Sequence, residues 1–135
     1  MPARKALLLI AHGSRRAEAN ADLVDLAERL RDRGQYAIVQ VSYLELAEPS
    51  IPDGGALCVT AGATEVVLLP YFLSAGVHAR DDMAAARTAL AERFPEVIFR
   101  LAEPLGRHPL LLEVVEQRAG EADGHFKPPR CNGGA

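Results

Sequence analysis

Short apolar runs alternate along the chain with longer stretches of helical spacing. The first run, Leu7-Leu8-Leu9-Ile10-Ala11, has no polar interruption, so residues 6–11 read as a strand buried on both faces. Residues 16–33 read as a helix: Leu23, Ala27 and Leu30 recur at i, i+4 and i+7 with Val24 beside them, and Gly34 supplies the stop. A second strand follows over 37–44. Ser50 then caps a second helix, with Pro52 in its first turn and Asp53 at the capping-box position, and Gly62 ends it. Gly54 and Gly55 weaken that helix by about 1 kcal/mol each. Residues 65–70 form the third strand and 79–93 the third helix. In that helix Asp81 and Asp82 occupy the first turn, where the dipole favours acids, and Met83, Ala86, Leu90 and Phe94 share one face before Pro95. Residues 97–101 make the fourth strand. Pro109 opens the last helix, whose Leu111, Val115 and Ala119 are expected to point inward. One domain is therefore expected over 1–122, with a loose, Gly-rich tail over 123–135.

This alternation predicts an α/β fold: a mainly parallel, Rossmann- or flavodoxin-like sheet of about four strands, with helices on both faces and right-handed crossovers. The expected strand order is 2-1-3-4. Ligands of such sheets sit beyond the carboxyl ends of the strands, at the point where the order reverses, here between strands one and three. His12 stands directly after the first strand, in Ala11-His12-Gly13-Ser14. His78 follows the third strand across Tyr71 to Val77, and Glu45 follows the second. Two imidazoles and a carboxylate thus fall along one sheet edge, a set suited to metal chemistry or proton transfer.

Composition narrows the field. The net charge of −3 and the absence of tryptophan among few aromatics argue against a nucleic-acid partner. No apolar run approaches the roughly 20 residues of a membrane helix. Met1-Pro2-Ala3-Arg4-Lys5 leads straight into the first strand and leaves no room for a signal peptide. Cys58 and Cys131 make no CxxC and no zinc-like spacing. A cytoplasmic protein without a disulfide framework is the expectation.

Each feature also has a plainer reading. A lone histidine after a strand is usually a cap or a hydrogen-bonded surface group, and Glu45 alone reads as a solvated carboxylate. Gly13 and Gly76 are explained most simply as turn glycines. His108 precedes Pro109 and is expected to cap the last helix, while His125 lies in the tail. Arg15, Arg16, Arg80 and Arg107 read as surface charges, and their place near strand ends also suits an anionic ligand. Gly13-Ser14 before a helix could hold an anion, but there is no GxGxxG, GKS or GKT. Ser14 lacks the GxSxG elbow of a nucleophile.

Four segments occur in order: Ala11-His12-Gly13-Ser14-Arg15; Glu45-Leu46-Ala47-Glu48-Pro49-Ser50-Ile51-Pro52; Leu69-Pro70-Tyr71-Phe72-Leu73-Ser74-Ala75-Gly76-Val77-His78 with Asp81-Asp82-Met83; and Pro104-Leu105-Gly106-Arg107-His108-Pro109-Leu110. Together, over roughly residues 5–120, they resemble the short-form sirohydrochlorin cobaltochelatase/ferrochelatase family of class II chelatases. Any one of them is weak evidence; the ordered set is strong. The resemblance implies a chelatase-like α/β domain that pairs as a homodimer. It also implies nucleotide-free insertion of Co²⁺, Fe²⁺ or Ni²⁺ into a sirohydrochlorin-type tetrapyrrole, in cobalamin or sirohaem biosynthesis, with no cofactor beyond that substrate metal. It maps catalysis and metal ligation onto His12 and His78. Substrate binding maps onto Glu45 and the loop Phe72, Leu73, Ser74, Ala75, Gly76 and Val77. The tail carries no histidine run and no cysteine cluster, so neither a metal-storage tail nor an iron–sulfur centre is expected.

The chemistry is consistent with that mapping. Insertion exchanges two pyrrole N–H protons for one M²⁺, so the site needs a donor that presents the metal and a base that takes protons. A neutral imidazole, with a reference pKa of about 6.5, does both near pH 7. Nitrogen and oxygen donors hold borderline metals without selecting among them. Two other classes fit parts of the pattern: a carrier that binds metal or tetrapyrrole without turnover, and a histidine phosphatase. Ala11 precedes His12 where such phosphatases place an arginine, which counts against the latter.

Overall fold

The computed structural model describes residues 3–124. The chain divides into two compact units, Met1–Pro104 and Leu105–Ala135. The first contains β1 (Lys5–Ala11), α1 (Ala17–Arg33), β2 (Ile38–Tyr43), α2 (Ile51–Thr60), β3 (Glu65–Pro70), α3 (Val77–Arg93) and β4 (Ile98–Leu101). The second contains α4 (Pro109–Asp123). All strand pairs are parallel and the order is β2-β1-β3-β4, the order expected. Each strand begins and ends within a residue or so of its expected bounds; in β1, β2 and β3 the apolar runs that mark them carry the sheet's buried centre, whereas at the edge strand β4 only Phe99 is buried.

Both faces of β1 are covered. Ala6, Leu8 and Ile10 enter a core with Val66, Leu68, Ile51, Cys58 and Leu90, beneath α2 and α3. Leu7 and Leu9 enter a second core with Leu23, Ala27, Val39 and Tyr43, beneath α1. Alternate residues of one strand thus serve opposite layers, which is why the strand reads as an unbroken apolar run. Leu23 and Ala27 are buried as their spacing predicts, whereas Val24 is exposed. Among the described residues no helix is long and apolar enough to cross a membrane.

Gly54 and Gly55 are where propensity misleads. A Cβ on Gly54 would lie 2.9 Å from Ser42 Cβ and 3.0 Å from Leu8 Cδ1, and one on Gly55 would lie 2.6 Å from Leu90 Cδ2. The pair lets α2 sit close against the sheet and against α3, and both glycines are buried. Their helix-propensity cost is offset by packing. Ser50 caps α2 as expected, its Oγ accepting from the Asp53 N–H at 3.3 Å.

Cys58 of α2 is fully buried, and burial pushes its thiol from the ordinary 9.0 up to about 12. Between those values the unfolded chain has released a proton that the native chain keeps, so native stability falls as pH rises through that window. Urea titrations between pH 9 and 11 should show a shallower loss of stability in Cys58→Ala than in the parent chain. Parallel slopes would mean that this thiol does not contribute. At neutral pH the native thiol should react slowly with alkylating reagents.

Two expectations about helices need correction. The third helix begins at Val77, not at residue 79, with Gly76 as an N-cap that offers no side-chain bond. His78 therefore lies in the first turn of α3, and Asp81 and Asp82 lie beyond it. Nor do Leu111, Val115 and Ala119 point inward: Val115 and Ala119 are exposed, Leu111 is half-buried, and α4 has no buried residue. Spacing showed only that α4 can carry an apolar stripe; it could not show that anything covers the stripe. His108 does cap α4, its Nδ1 accepting from the Leu110 N–H at 3.1 Å. The expected tail, with His125 and Cys131, lies outside the described residues from position 125 onward.

Candidate functional site

His12 is the first residue past β1, and backbone bonds continue beyond the strand ends to hold it. The Leu44 N–H donates to the Ala11 carbonyl at 2.9 Å, and the Glu45 N–H donates to the His12 carbonyl at 3.0 Å. On the other side the Tyr71 N–H donates to the Ile10 carbonyl at 2.7 Å. The segments after β2 and β3 are thereby tied to the end of β1, at the point where the strand order reverses.

Gly13 makes the tie possible. Its φ is +95°, and a Cβ there would fall 1.8 Å from the Glu45 carbonyl oxygen. No side chain fits that space, so the turn after His12 packs directly against the backbone that carries Glu45. Ser14 and Asn20 shape the rest of the loop. Asn20 Oδ1 accepts from the Ser14 N–H at 3.0 Å, and Asn20 Nδ2 donates to the Ser14 carbonyl at 2.7 Å. The buried Tyr43 hydroxyl donates to the Asn20 carbonyl at 3.1 Å. Ser14 Oγ accepts from the Arg16 N–H at 3.0 Å, an N-terminal turn role that fits the missing nucleophile motif. The sequence reading missed Asn20; an amide side chain in the first turn of a helix, just after a Gly-Ser turn, is the signal that could have found it.

The structure brings His12 together with Phe72. Their ring centroids are 4.5 Å apart, with the planes tilted by 34°. An aromatic pair at this spacing adds to the burial of its rings and limits their rotation. A residue of the β3–α3 segment thus meets the β1 histidine. His78, Glu45, Leu73, Ser74, Gly76 and Val77 are exposed, Phe72 and Ala75 half-buried. Gly76 has an ordinary extended backbone, and a Cβ there would meet nothing within 4 Å, so the turn-glycine reading fails at this position. Arg15, Arg16 and Arg80 are exposed and enter no ion pair among the described residues; Arg107, also exposed, belongs to the second unit.

Among the described residues no three of His, Cys, Asp and Glu gather as a metal cluster. Glu45 is therefore not assembled with the two imidazoles into a three-ligand set. An open hollow of about 500 Å³ lies elsewhere, between α1 and the segment after β2, lined by Asn20, Val24, Asp25, Tyr43, Ala47 and Glu48 among others. Neither His12, His78 nor the 72–77 loop lines it.

Residues 6–122 match the CbiX family model. The chain belongs to the CbiX family. It is 38% identical over 121 residues to the chloroplastic sirohydrochlorin ferrochelatase of Arabidopsis thaliana, a match covering 90% of this chain and 54% of the plant protein. The fold is similar to the sirohydrochlorin chelatase SirB of Bacillus subtilis subspecies spizizenii, solved in complex with cobalt: TM-score 0.80, 28% identity, 87% of this chain and 50% of that one. A cobalamin (vitamin B12) biosynthesis CbiX protein from Marinobacter aquaeolei VT8 superposes with a TM-score of 0.77 at 30% identity, over 90% of this chain and 99% of the other. The chain spans about half the length of the curated relatives it matches first.

Proposed function

We propose that this CbiX-family chain is a sirohydrochlorin chelatase, inserting Co²⁺ foremost, with Fe²⁺ and Ni²⁺ as alternatives, into the tetrapyrrole of cobalamin or sirohaem biosynthesis. One observation carries the reading: His12 leaves a chelatase-type sheet at its switch point, with Phe72 of the neighbouring strand's loop against its ring. The metal is substrate, and no resident cofactor is invoked.

In this reading His12 presents the metal and accepts a pyrrole proton, and His78 is the second metal ligand. With few protein donors, most coordination positions stay open to the macrocycle nitrogens, and the ion can leave with the product. Glu45 contacts the substrate or assists proton removal. Residues Phe72 to Val77 line the ring, and the open space over Gly76 lets a flat macrocycle approach the backbone. The exposed Arg15, Arg16 and Arg80 steer the substrate's carboxylates. A homodimer, working in the cytoplasm, completes the proposal.

The test is anaerobic. Purified protein, sirohydrochlorin and each metal are mixed, and the visible spectrum is followed. Insertion faster than the protein-free control for at least one metal is expected. Rates equal to that control for every metal, with Co²⁺ or tetrapyrrole still bound, would favour the carrier reading instead. Sedimentation at working concentration addresses the dimer, and a monomer would remove that part.

A further inference from the structure

We infer that Leu46 is a substrate-contacting residue, an apolar side chain held at the rim by a strained backbone to meet one face of the macrocycle. Its φ is +65°, a left-handed conformation that a bulky L-residue seldom adopts and that glycine or asparagine takes at far less cost. Packing offsets little of that strain, because Leu46 is 53% exposed and belongs to neither core. Neither conformation nor the chain's own core accounts for leucine here. Strain retained under such conditions points to a use outside the fold.

The surroundings define that use. The Glu45–Leu46 peptide is pinned: the Glu45 N–H donates to the His12 carbonyl, and the Glu45 carbonyl lies against Gly13. The left-handed turn at Leu46 begins directly after this clamp, so its position is fixed relative to the backbone of His12. Beyond the end of β3, Leu73 is 64% exposed, and Val77, at the start of α3, is 73% exposed. Large aliphatic residues thus stand in solvent on two of the segments that leave the sheet's carboxyl edge. A flat ring system with an apolar face and a charged periphery is the class of ligand such a rim can desolvate. The inference rests on the proposed chelatase reading and adds a residue to it. A second copy of the chain is the competing occupant.

The experiment uses Leu46→Asn, Leu46→Gly and Leu46→Met in the full chain. Four quantities are read: melting temperature, sedimentation, affinity for metal-free sirohydrochlorin by absorbance titration, and kcat and KM for Co²⁺ insertion. Asn and Gly relieve the left-handed strain, so their melting temperatures should equal or exceed the parent's. Their Kd and KM for the tetrapyrrole should rise about five- to tenfold, the loss expected for a partly buried leucine side chain, with kcat within about twofold. Methionine should restore affinity, since it keeps the apolar bulk. Unchanged Kd and KM in both Asn and Gly variants would overturn the inference. So would a clear fall in melting temperature for Leu46→Gly, which would make Leu46 a support of the fold, or a loss of affinity that only follows loss of the dimer. Tight binding that depends on Leu46 without turnover in the parent chain would reject the chelatase reading and keep the contact; no binding by the parent chain would reject both.

Discussion

His12→Ala should slow Co²⁺ insertion into sirohydrochlorin at least about tenfold, the low end for loss of a group acting on a metal, and His78→Ala should do the same. The two losses differ in kind. His12 is proposed to present the metal and to take a proton, and loss of a positioned base alone is worth about a hundredfold or more in many enzymes. His78 is proposed to act on the metal only, so its variant should lose Co²⁺ affinity without a change in the pH profile of the remaining rate. Neither change should unfold the protein. Both side chains are exposed, and the bond from the Glu45 N–H goes to the His12 backbone, which alanine keeps. Exposed substitutions of this kind usually stay within about 0.5 kcal/mol of the parent. Melting curves therefore serve as the control, and added imidazole should partly rescue His12→Ala. Full rates in both variants would show that the chemistry lies elsewhere, even in a functional chelatase.

The sheet was readable because burial on two faces leaves short unbroken apolar runs such as Leu7–Ile10, bounded by turn residues and too short for a helix of ordinary length. The placement of His12 beyond β1 followed from that reading; the strand order is one of several that parallel crossovers allow, taken from the flavodoxin-like arrangement, and it is the order the sheet has. Local signals with a local partner were also legible: Ser50 caps α2 and His108 caps α4, each bonding within three residues. What escaped depends on groups far apart in sequence. Gly54 and Gly55 looked like weaknesses of α2 because propensity does not see Ser42, Leu8 and Leu90 pressing on them. The start of α3 lies two residues before the spacing predicts because Gly76 gives no capping side chain to read. The Phe72 contact with His12 spans two loops, and no spacing rule anticipates it. Leu46 gave no warning at all, since a left-handed leucine is the opposite of what residue preference predicts.

Gly13→Ala should damage the fold more than the same change at Gly34 or Gly76. Two separate penalties apply. The positive φ of +95° strains any residue with a Cβ, and that Cβ would lie 1.8 Å from the Glu45 carbonyl oxygen, a backbone atom that cannot rotate away. The native chain can relieve the overlap only by parting the turn after His12 from the segment after β2. Together these should cost at least about 2 kcal/mol, seen as a fall in melting temperature of roughly 5–10 °C. Two companion variants separate the causes. Gly34→Ala meets no neighbour within 4 Å at φ +74°, so it reports left-handed strain alone and should cost about 1 kcal/mol. Gly76→Ala has an ordinary φ of −67° and open space around it, so the smaller entropy of the unfolded chain and the poorer N-cap should roughly cancel and leave the melting temperature close to the parent's. The order Gly13 far below Gly34, and Gly34 below Gly76, is the expected result. The Gly13 variant should also lose more insertion activity than its remaining folded fraction explains, because the bond that positions His12 runs through the same contact. A Gly13→Ala protein that melts with the parent would mean that the Glu45 carbonyl does not rest on this glycine, and the pinned peptide before Leu46 would lose its support as well.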